Sequence, residues 1–456
     1  MIVIVADSLR YDHVGCCGGK AQTPNLDRFA AEAMVFDQAY AENLPTLPCR
    51  TAWWTGLYLF PQRGWQHFEP WDTLLAEVLW DKGFASALVT DVYHMHKPVY
   101  NCGRGFDTTV FLRGQEYDPW VVDTSIPVDV EARHRVRGRD DDARWRERFA
   151  QYLRNVHHWK SEEDHFCARV AREAIRWLDH ATRRRKDRLF LWVDFFDPHE
   201  PWDPPQRYVD LYDPDYTGQE LIDPVPGPVA GYMSPEEVAH TRALYAGEVS
   251  LVDRWVGVLL DHVRELGLWE NSLVMFTSDH GEPFGEHGII RKAAPWSYEE
   301  QARIPWMVRH PEGLGAGQRS AAFVQPPDLM PTVLDALGLP TTLTLPSPPP
   351  AGHRLPRNAR VGPRQLALHG QSLLPLLRGD GAWSRDFAVT AWHEAEWAIR
   401  TDPWTYLLPL RGERRPELYN RRDDLQEQRE LSAEEPDVAD ALELSLRRFA
   451  HQVSPE

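Results

Sequence analysis

The residues of this 456-residue chain that could do chemistry stand where apolar runs end. Asp7 follows the opening run Met1-Ile2-Val3-Ile4-Val5, and Asp279-His280 follow the run from Ser272 to Thr277. Two carboxylates and one imidazole, brought together, form a donor set for a divalent cation. Taken singly, each also fits a turn residue or a helix cap, and Asp279-His280-Gly281 reads equally well as a turn. A third element is Thr46-Leu47-Pro48-Cys49-Arg50-Thr51. Pro48 suits the first turn of a helix, where its missing N–H costs nothing. The Thr46 hydroxyl would then face unpaired backbone N–H groups at the positive end of the helix. Arg50 adds a permanent cation, and tetrahedral oxyanions bind in such places. The plainer reading is an N-cap at Thr46 and a surface cation at Arg50.

Positioning these groups requires strands that end together. The opening run predicts a buried strand ending at Asp7. Ala85 to Val89 predicts a second, ending at Thr90-Asp91, and Leu189 to Phe196 a third, ending at Asp197-Pro198-His199. Ser272 to Thr277 delivers Ser278-Asp279-His280. Helices are expected from Thr23-Pro24, with apolar spacing continuing through Met34, and over Leu74 to Trp80. A long, broken amphipathic helix is expected over Pro235 to Leu268. This alternation predicts an α/β fold with a mostly parallel sheet covered on both faces. Functional groups then gather beyond the C-terminal strand ends.

Residues 1–340 read as the α/β domain, with a densely charged, solvated helical insertion at about 125–165. Residues 341–364, which include Pro346, Pro348, Pro349 and Pro350, read as a linker or insertion. Residues 365–456 read as a smaller antiparallel α+β subdomain closed by a charged helix. Fifty basic against 68 acidic residues leave a net charge of −18, which argues against nucleic acid or an anionic membrane as the main partner. No apolar run reaches a membrane span, and Met1 to Val5 is too short for a signal peptide. Cys16, Cys17, Cys49, Cys102 and Cys167 form no CxxC pair and are odd in number, which fits reduced thiols in a cytoplasm. Nineteen tryptophans fit core packing first, and beyond it an aromatic pocket rim or a homo-oligomer interface.

The motifs, in order, resemble those of the sulfatase family of the alkaline phosphatase superfamily. Asp7-Ser8-Leu9-Arg10-Tyr11-Asp12, followed by Gly15 and Gly18, resembles its first motif. Thr46-x-Pro48-x-Arg50 with Thr55-Gly56 resembles the signature in which Cys or Ser precedes x-Pro-x-Arg. Asp197-Pro198-His199-Glu200-Pro201-Trp202 resembles the central histidine motif. Ser278-Asp279-His280-Gly281-Glu282, Gly285-Glu286-His287-Gly288 and Lys292 resemble the late metal and lysine motif. Asn101 to Phe106 and Arg113-Gly114-Gln115-Glu116 resemble a bacterial subgroup. Gln371 to Leu377 and Glu417-Leu418-Tyr419-Asn420 are similar to C-terminal landmarks. The resemblance spans nearly the whole chain and implies an alkaline-phosphatase-like sandwich.

The resemblance implies that Asp7, Thr46, Asp279 and His280 hold one divalent metal and that Thr46 takes the nucleophile position. It implies that Arg50 stabilises the nucleophile and the site's negative charge. It places His199 and Lys292 on the ester oxygens, with His199 a candidate acid for the leaving group. Thr90, Tyr93 and His94, which replace the usual lysine motif, are candidates for substrate binding or for packing. His287 fits either the site or a structural histidine stacked beside it. The departures matter. Formylglycine is made from Cys or Ser, so none is expected at Thr46. Ser8 replaces the second aspartate of the usual pair, and His280 stands where many sulfatases carry Asn. This exchange favours Mn²⁺ or Zn²⁺ over Ca²⁺, which stays possible, and Asp-x-Asp-His resembles phosphonate monoester hydrolases. The expected activity is hydrolysis of phosphate diesters or phosphonate monoesters, small anionic esters, through Thr46. The alternatives are an arylsulfatase-like sulfuric ester hydrolase and a catalytically weak anion-binding member of the fold.

Overall fold

Five consecutive apolar residues with no polar alternation leave Ile2–Ala6 (β1) no exposed face, and all five are buried. The same holds for Leu189–Phe195 (β5), where every residue is buried although one of them is Asp194. These two strands pair in parallel at the centre of an eight-stranded sheet. The computed structural model describes residues 1–454 apart from 185, 293–295, 347–362 and 381–382.

From one edge the sheet runs Arg319–Val324, Met34–Ala39 (β2), Trp306–Arg309, Val274–Thr277, β1, β5, Ala85–Thr90 (β3) and Thr108–Phe111 (β4). Only Trp306–Arg309 runs antiparallel to its neighbours. Side chains alternate between two apolar layers. Ile2, Ile4, Leu191 and Val193 face the layer built on Pro235–Glu265 and Phe166–Thr182. Val3, Val5, Phe190 and Trp192 face the other, where Thr46–Thr55 (α2) packs through Cys49 and Trp53. Asp7 and Asp194 keep the phase of this second set, so both carboxylates point toward α2.

The long helix is not broken: Pro235–Glu265 is continuous over 31 residues. Its two interior glycines mark close approaches, because a Cβ at Gly257 would lie 2.4 Å from Asn25 and one at Gly247 2.9 Å from Pro204. Asp253, between them, accepts the Asn25 and Leu26 N–H groups at the start of Pro24–Ala30 (α1). That helix stops at Ala30, four residues short of the expected helical spacing, and Met34 instead opens β2. The charged stretch at 125–165 is also less solvated than expected. Its helix Asp142–Val156 buries Phe149 and Tyr152 in the first core.

Thr342–Pro346 and Pro363–Ala367 pair as an antiparallel ladder. Pro348, Pro349 and Pro350 lie outside the described residues. C-terminal to this, Phe387–Trp392, Glu396–Thr401, Trp404–Pro409 and Glu417–Asn420 form an antiparallel sheet. The helix Pro436–Val453 covers it with Leu442, Leu446 and Ala450. All five cysteines are unpaired. Among the described residues no helix is long and apolar enough to cross a membrane.

Candidate active site

The sheet brings Asp7, at the end of β1, beside Asp279 and His280, at the end of the adjoining strand. One ligand atom from each lies within 4.8 Å of the others, and all three residues are buried. The chain reverses at Ser8, a non-glycine residue with φ 58°, and this left-handed turn is held from several sides. The Ser8 N–H donates to Asp279 Oδ1 at 3.0 Å, and the Leu9 N–H to Ser278 Oγ at 2.9 Å. The Tyr245 hydroxyl donates to the Ser8 carbonyl.

Arg50 reaches this cluster from α2 and is fully buried. Nε and Nη2 grip Asp194 at 2.9 and 2.6 Å, and Nη2 also donates to Asp7 Oδ2 at 3.0 Å. Nη1 donates to Asp279 Oδ2 at 2.7 Å and to the Thr46 carbonyl at 3.0 Å. These contacts use all five donors of the guanidinium. Arg50 is therefore neither a surface cation nor a receiver of substrate oxyanion. It braces the two carboxylates from behind and ties them to the first residue of α2. Asp194, which sequence patterning missed, completes the brace; its signal was a lone carboxylate inside a buried apolar strand.

His280 has the features of a metal ligand. Its Nδ1 faces the Gly281 carbonyl at 2.9 Å, which fixes the tautomer and leaves a lone pair on Nε2. Nε2 is buried, has no hydrogen-bond partner among the described residues, and lies 3.8 Å from Asp7 and 3.6 Å from Asp279. Burial lowers the imidazole pKa to about 4, so the ring is neutral. Burial and the Asp279 charge push the Asp7 carboxyl up. An orphaned nitrogen facing two crowded carboxylates fits a divalent cation, and Asp7, Asp279 and His280 would hold it. Dialysis against a chelator is expected to lower the melting temperature, and adding metal back to restore it. At 100 times Kd the ion would contribute about 2.7 kcal/mol. Asp279→Asn should remove this response, whereas a wild-type melt indifferent to chelator would rule out the site.

Thr46 is the first helical residue, and Pro45 precedes it as the N-cap. Thr51 and Thr55 on the same helix turn their hydroxyls back to the carbonyls of Leu47 and Thr51. Thr46 has no preceding turn to bond to, and its hydroxyl makes no hydrogen bond among the described residues. It stays available although the residue is buried.

Lys292 donates to Ser8 Oγ at 3.2 Å, to Glu200 Oε2 at 2.9 Å and to Glu282. Burial opposes its charge, but these two carboxylates outweigh it and raise the ammonium pKa. His199 stacks on Phe196 with ring centroids 4.0 Å apart, and its Nδ1 faces the Glu200 carbonyl at 2.7 Å. Burial, helped by the Lys292 and Arg291 charges, holds the imidazole well below its ordinary pKa. Arg291 binds Glu200 and Asp223. Glu200 and Glu282 lie within motifs recognised in the sequence, but only their position in the fold shows them sharing the lysine.

The remaining candidates lie on the third strand end. Thr90 is buried, and its hydroxyl accepts the Val92 N–H at 3.0 Å, so it serves the turn. Tyr93 packs against His94, His96 and Tyr117. His94 Nε2 lies 3.6 Å from Glu116, and its ring meets the partly exposed indole of Trp65 edge-on. His287 is the stacked, structural histidine: it lies 3.6 Å above Tyr298 and pairs with Glu300 and the Glu427 carbonyl.

Comparisons with known proteins match this architecture. The sulfatase family model matches residues 1–339, and the chain belongs to the sulfatase family, whose members hydrolyse anionic esters. It is 26% identical over 375 residues to an arylsulfatase of Clostridium perfringens, covering 74% of each chain. The phosphonate monoester hydrolase of Agrobacterium radiobacter superposes with a TM-score of 0.75 at 20% identity, over 99% of this chain and 95% of that one. A protein solved with its substrate D-glucosamine-2-N,6-O-disulfate superposes with a TM-score of 0.71 at 20% identity, over 99% and 97%. These last two likenesses establish the alkaline-phosphatase-like fold.

Proposed function

We propose that the protein hydrolyses phosphate diesters or phosphonate monoesters through an unmodified Thr46. The observation that carries this is the uncommitted Thr46 hydroxyl at the start of α2, tied through Arg50 to Asp7 and Asp279. A divalent ion held by Asp7, Asp279, His280 and Thr46 would lower the pKa of that hydroxyl and offset charge on the ester oxygens. An imidazole in place of a carboxylate favours Mn²⁺ or Zn²⁺ over Ca²⁺. Thr46 attacks the phosphorus in line, Lys292 neutralises charge on the equatorial oxygens, and His199 faces the leaving group. A phosphorylated Thr46 is open to displacement by water. A sulfated Thr46 is displaced more slowly, since it has no second hydroxyl to expel the group and water must attack at sulfur. The likeness to a phosphonate monoester hydrolase supports this substrate class, and the five unpaired cysteines support a cytoplasmic setting.

The likeness to an arylsulfatase favours a second reading, sulfuric ester hydrolysis. A panel of aryl phosphate diesters, phosphonate monoesters and sulfates, each with several divalent metals, separates the two. Sulfates are expected to be slower by about two orders of magnitude, or roughly 3 kcal/mol of transition-state stabilisation. Repeated turnover of a sulfate on unmodified Thr46, faster than any phosphorus ester, would select the second reading. Metal-independent silence across the panel would leave an anion-binding member of the fold.

A further inference from the structure

His199 faces a chemical difficulty. Its Nδ1 is committed to the Glu200 carbonyl, its ring is fixed by the Phe196 stack, and its surroundings keep it neutral. The proton is therefore on Nδ1, and Nε2 carries a lone pair with nothing to give a departing oxygen. Lys292 is a poor substitute, because Glu200 and Glu282 strengthen its hold on its protons.

The acid facing Nε2 is Glu116, whose Oε1 lies 4.0 Å away. Its placement is built. Gln115 Nε2 bridges Asp91 and Asp197 at 2.9 Å each, which locks the turn to the ends of β3 and β5. Asp118 accepts the Gly114 N–H at 2.9 Å and pairs with Arg113. Glu116 itself takes φ 46°, a conformation costly for a side chain of this kind. That turn directs the carboxyl between His94 and His199, and its Oε2 is buried with no hydrogen-bond partner among the described residues. Among the described residues no closer ion pair or hydrogen bond of the Glu116 carboxyl accounts for that cost.

We propose that Glu116 is a positioning residue that supplies His199 with the proton it delivers to the leaving-group oxygen. The step rests on the hydrolytic reading above. The Glu116 O–H bond breaks and an Nε2–H bond forms on His199. That bond breaks in turn as the leaving oxygen departs from phosphorus and takes the proton. Thr46 attacks and later departs as its alkoxide, so it neither adds nor removes a proton within the cycle. The water that cleaves the phosphorylated Thr46 returns one proton through His199 to the Glu116 carboxylate and leaves its other proton on the phosphorus product. The surrounding charges agree. Burial and the Glu200 charge, with Asp223 adding to them and Arg291 and Lys292 opposing, push the Glu116 carboxyl up to about 8. Tyr93, Tyr117 and Lys97 also lie within electrostatic reach of it, and His94 is neutral because burial lowers its pKa to about 3.

The test compares two leaving groups on one phosphorus centre: 4-nitrophenyl phenylphosphonate, whose nitrophenolate departs without a proton, and phenyl phenylphosphonate, whose phenolate needs one. Glu116→Gln should lower kcat on the phenyl ester by about 100-fold, the lower range of general acid catalysis, and change the 4-nitrophenyl ester less than about threefold. Activity on the 4-nitrophenyl ester also shows that the variant is folded. Glu116→Asp, which retracts the acid but keeps it, should fall between wild type and Glu116→Gln on the phenyl ester. In wild type, kcat for the phenyl ester should decline as pH rises through the Glu116 pKa, and this limb should vanish in Glu116→Gln. Equal losses on both esters would overturn the proposal. If sulfates prove to be the substrates, 4-nitrophenyl and phenyl sulfate carry the same comparison, so failure of the substrate class is told apart from failure of the Glu116 role. No turnover in either series would overturn both.

Discussion

Replacing Thr46 with alanine is expected to lower kcat by about a thousandfold or more, whereas Thr46→Ser keeps it within about tenfold. The difference follows from the geometry of α2. Alanine is compatible with the first turn of a helix, so the backbone carbonyl stays bound to Arg50 and the fold survives. Only the uncommitted hydroxyl is lost. Serine restores that hydroxyl, and the Thr46 methyl has no partner in the chemistry. The intact mass of active protein, expressed without any formylglycine-generating enzyme, should equal that of the encoded chain. A mass shift at residue 46, or wild-type rates in Thr46→Ala, would remove the unmodified hydroxyl from the mechanism.

Arg50→Met is expected to destabilise the protein by about 3–5 kcal/mol, the range for breaking a buried ion pair from one side. Three carboxylates, on Asp7, Asp194 and Asp279, share this guanidinium in a fully buried setting. A cation held by Asp7 and Asp279 would offset their charge, whereas Asp194 would keep only the neutral Trp192 indole N–H at 3.3 Å, with no cation beside it inside the sheet. Lysine is not equivalent, because its single ammonium cannot fork across Asp194 while also reaching Asp7 and Asp279. Denaturant unfolding with excess metal checks the prediction. Adding Asp194→Asn to Arg50→Met should recover part of the loss, since the uncompensated charge is then gone. An unchanged unfolding midpoint in Arg50→Met would show that the brace contributes little.

The two experiments separate chemistry from architecture within one helix. Thr46 and Arg50 are four residues apart, so they lie on the same face of α2. The first presents an open hydroxyl at the helix start, and the second anchors that start to the ends of β1, β5 and Val274–Thr277. A loss of rate without a loss of stability at residue 46, and the reverse emphasis at residue 50, is the signature of that division.

Much of this was local enough to read from the residues themselves. Unbroken apolar runs ending in Asp7, Thr90, Asp197 and Asp279 determined strands, their burial and the end at which polar groups collect. Motif spacing determined the family and pointed to Asp7, Asp279 and His280, which the fold brings together in one buried cluster. Composition could not reveal the rest. A carboxylate inside a strand, such as Asp194, becomes interpretable only when the sheet's alternation turns it toward α2. Arg50 looks the same in sequence whether it meets substrate, solvent or three buried aspartates. The stretch from Pro235 to Leu268 reads as a broken helix, yet it forms a continuous helix over Pro235–Glu265 whose Gly247 and Gly257 meet Pro204 and Asn25. Glu116 gains its place because Gln115, adjacent in sequence, is clamped by aspartates from two different strands. Local propensity and apolar patterning act within a few residues, so the chain states them directly. Charge pairing, orphaned polar atoms and proton affinity depend on which distant side chains share a space from which water is excluded, and only the tertiary structure decides that.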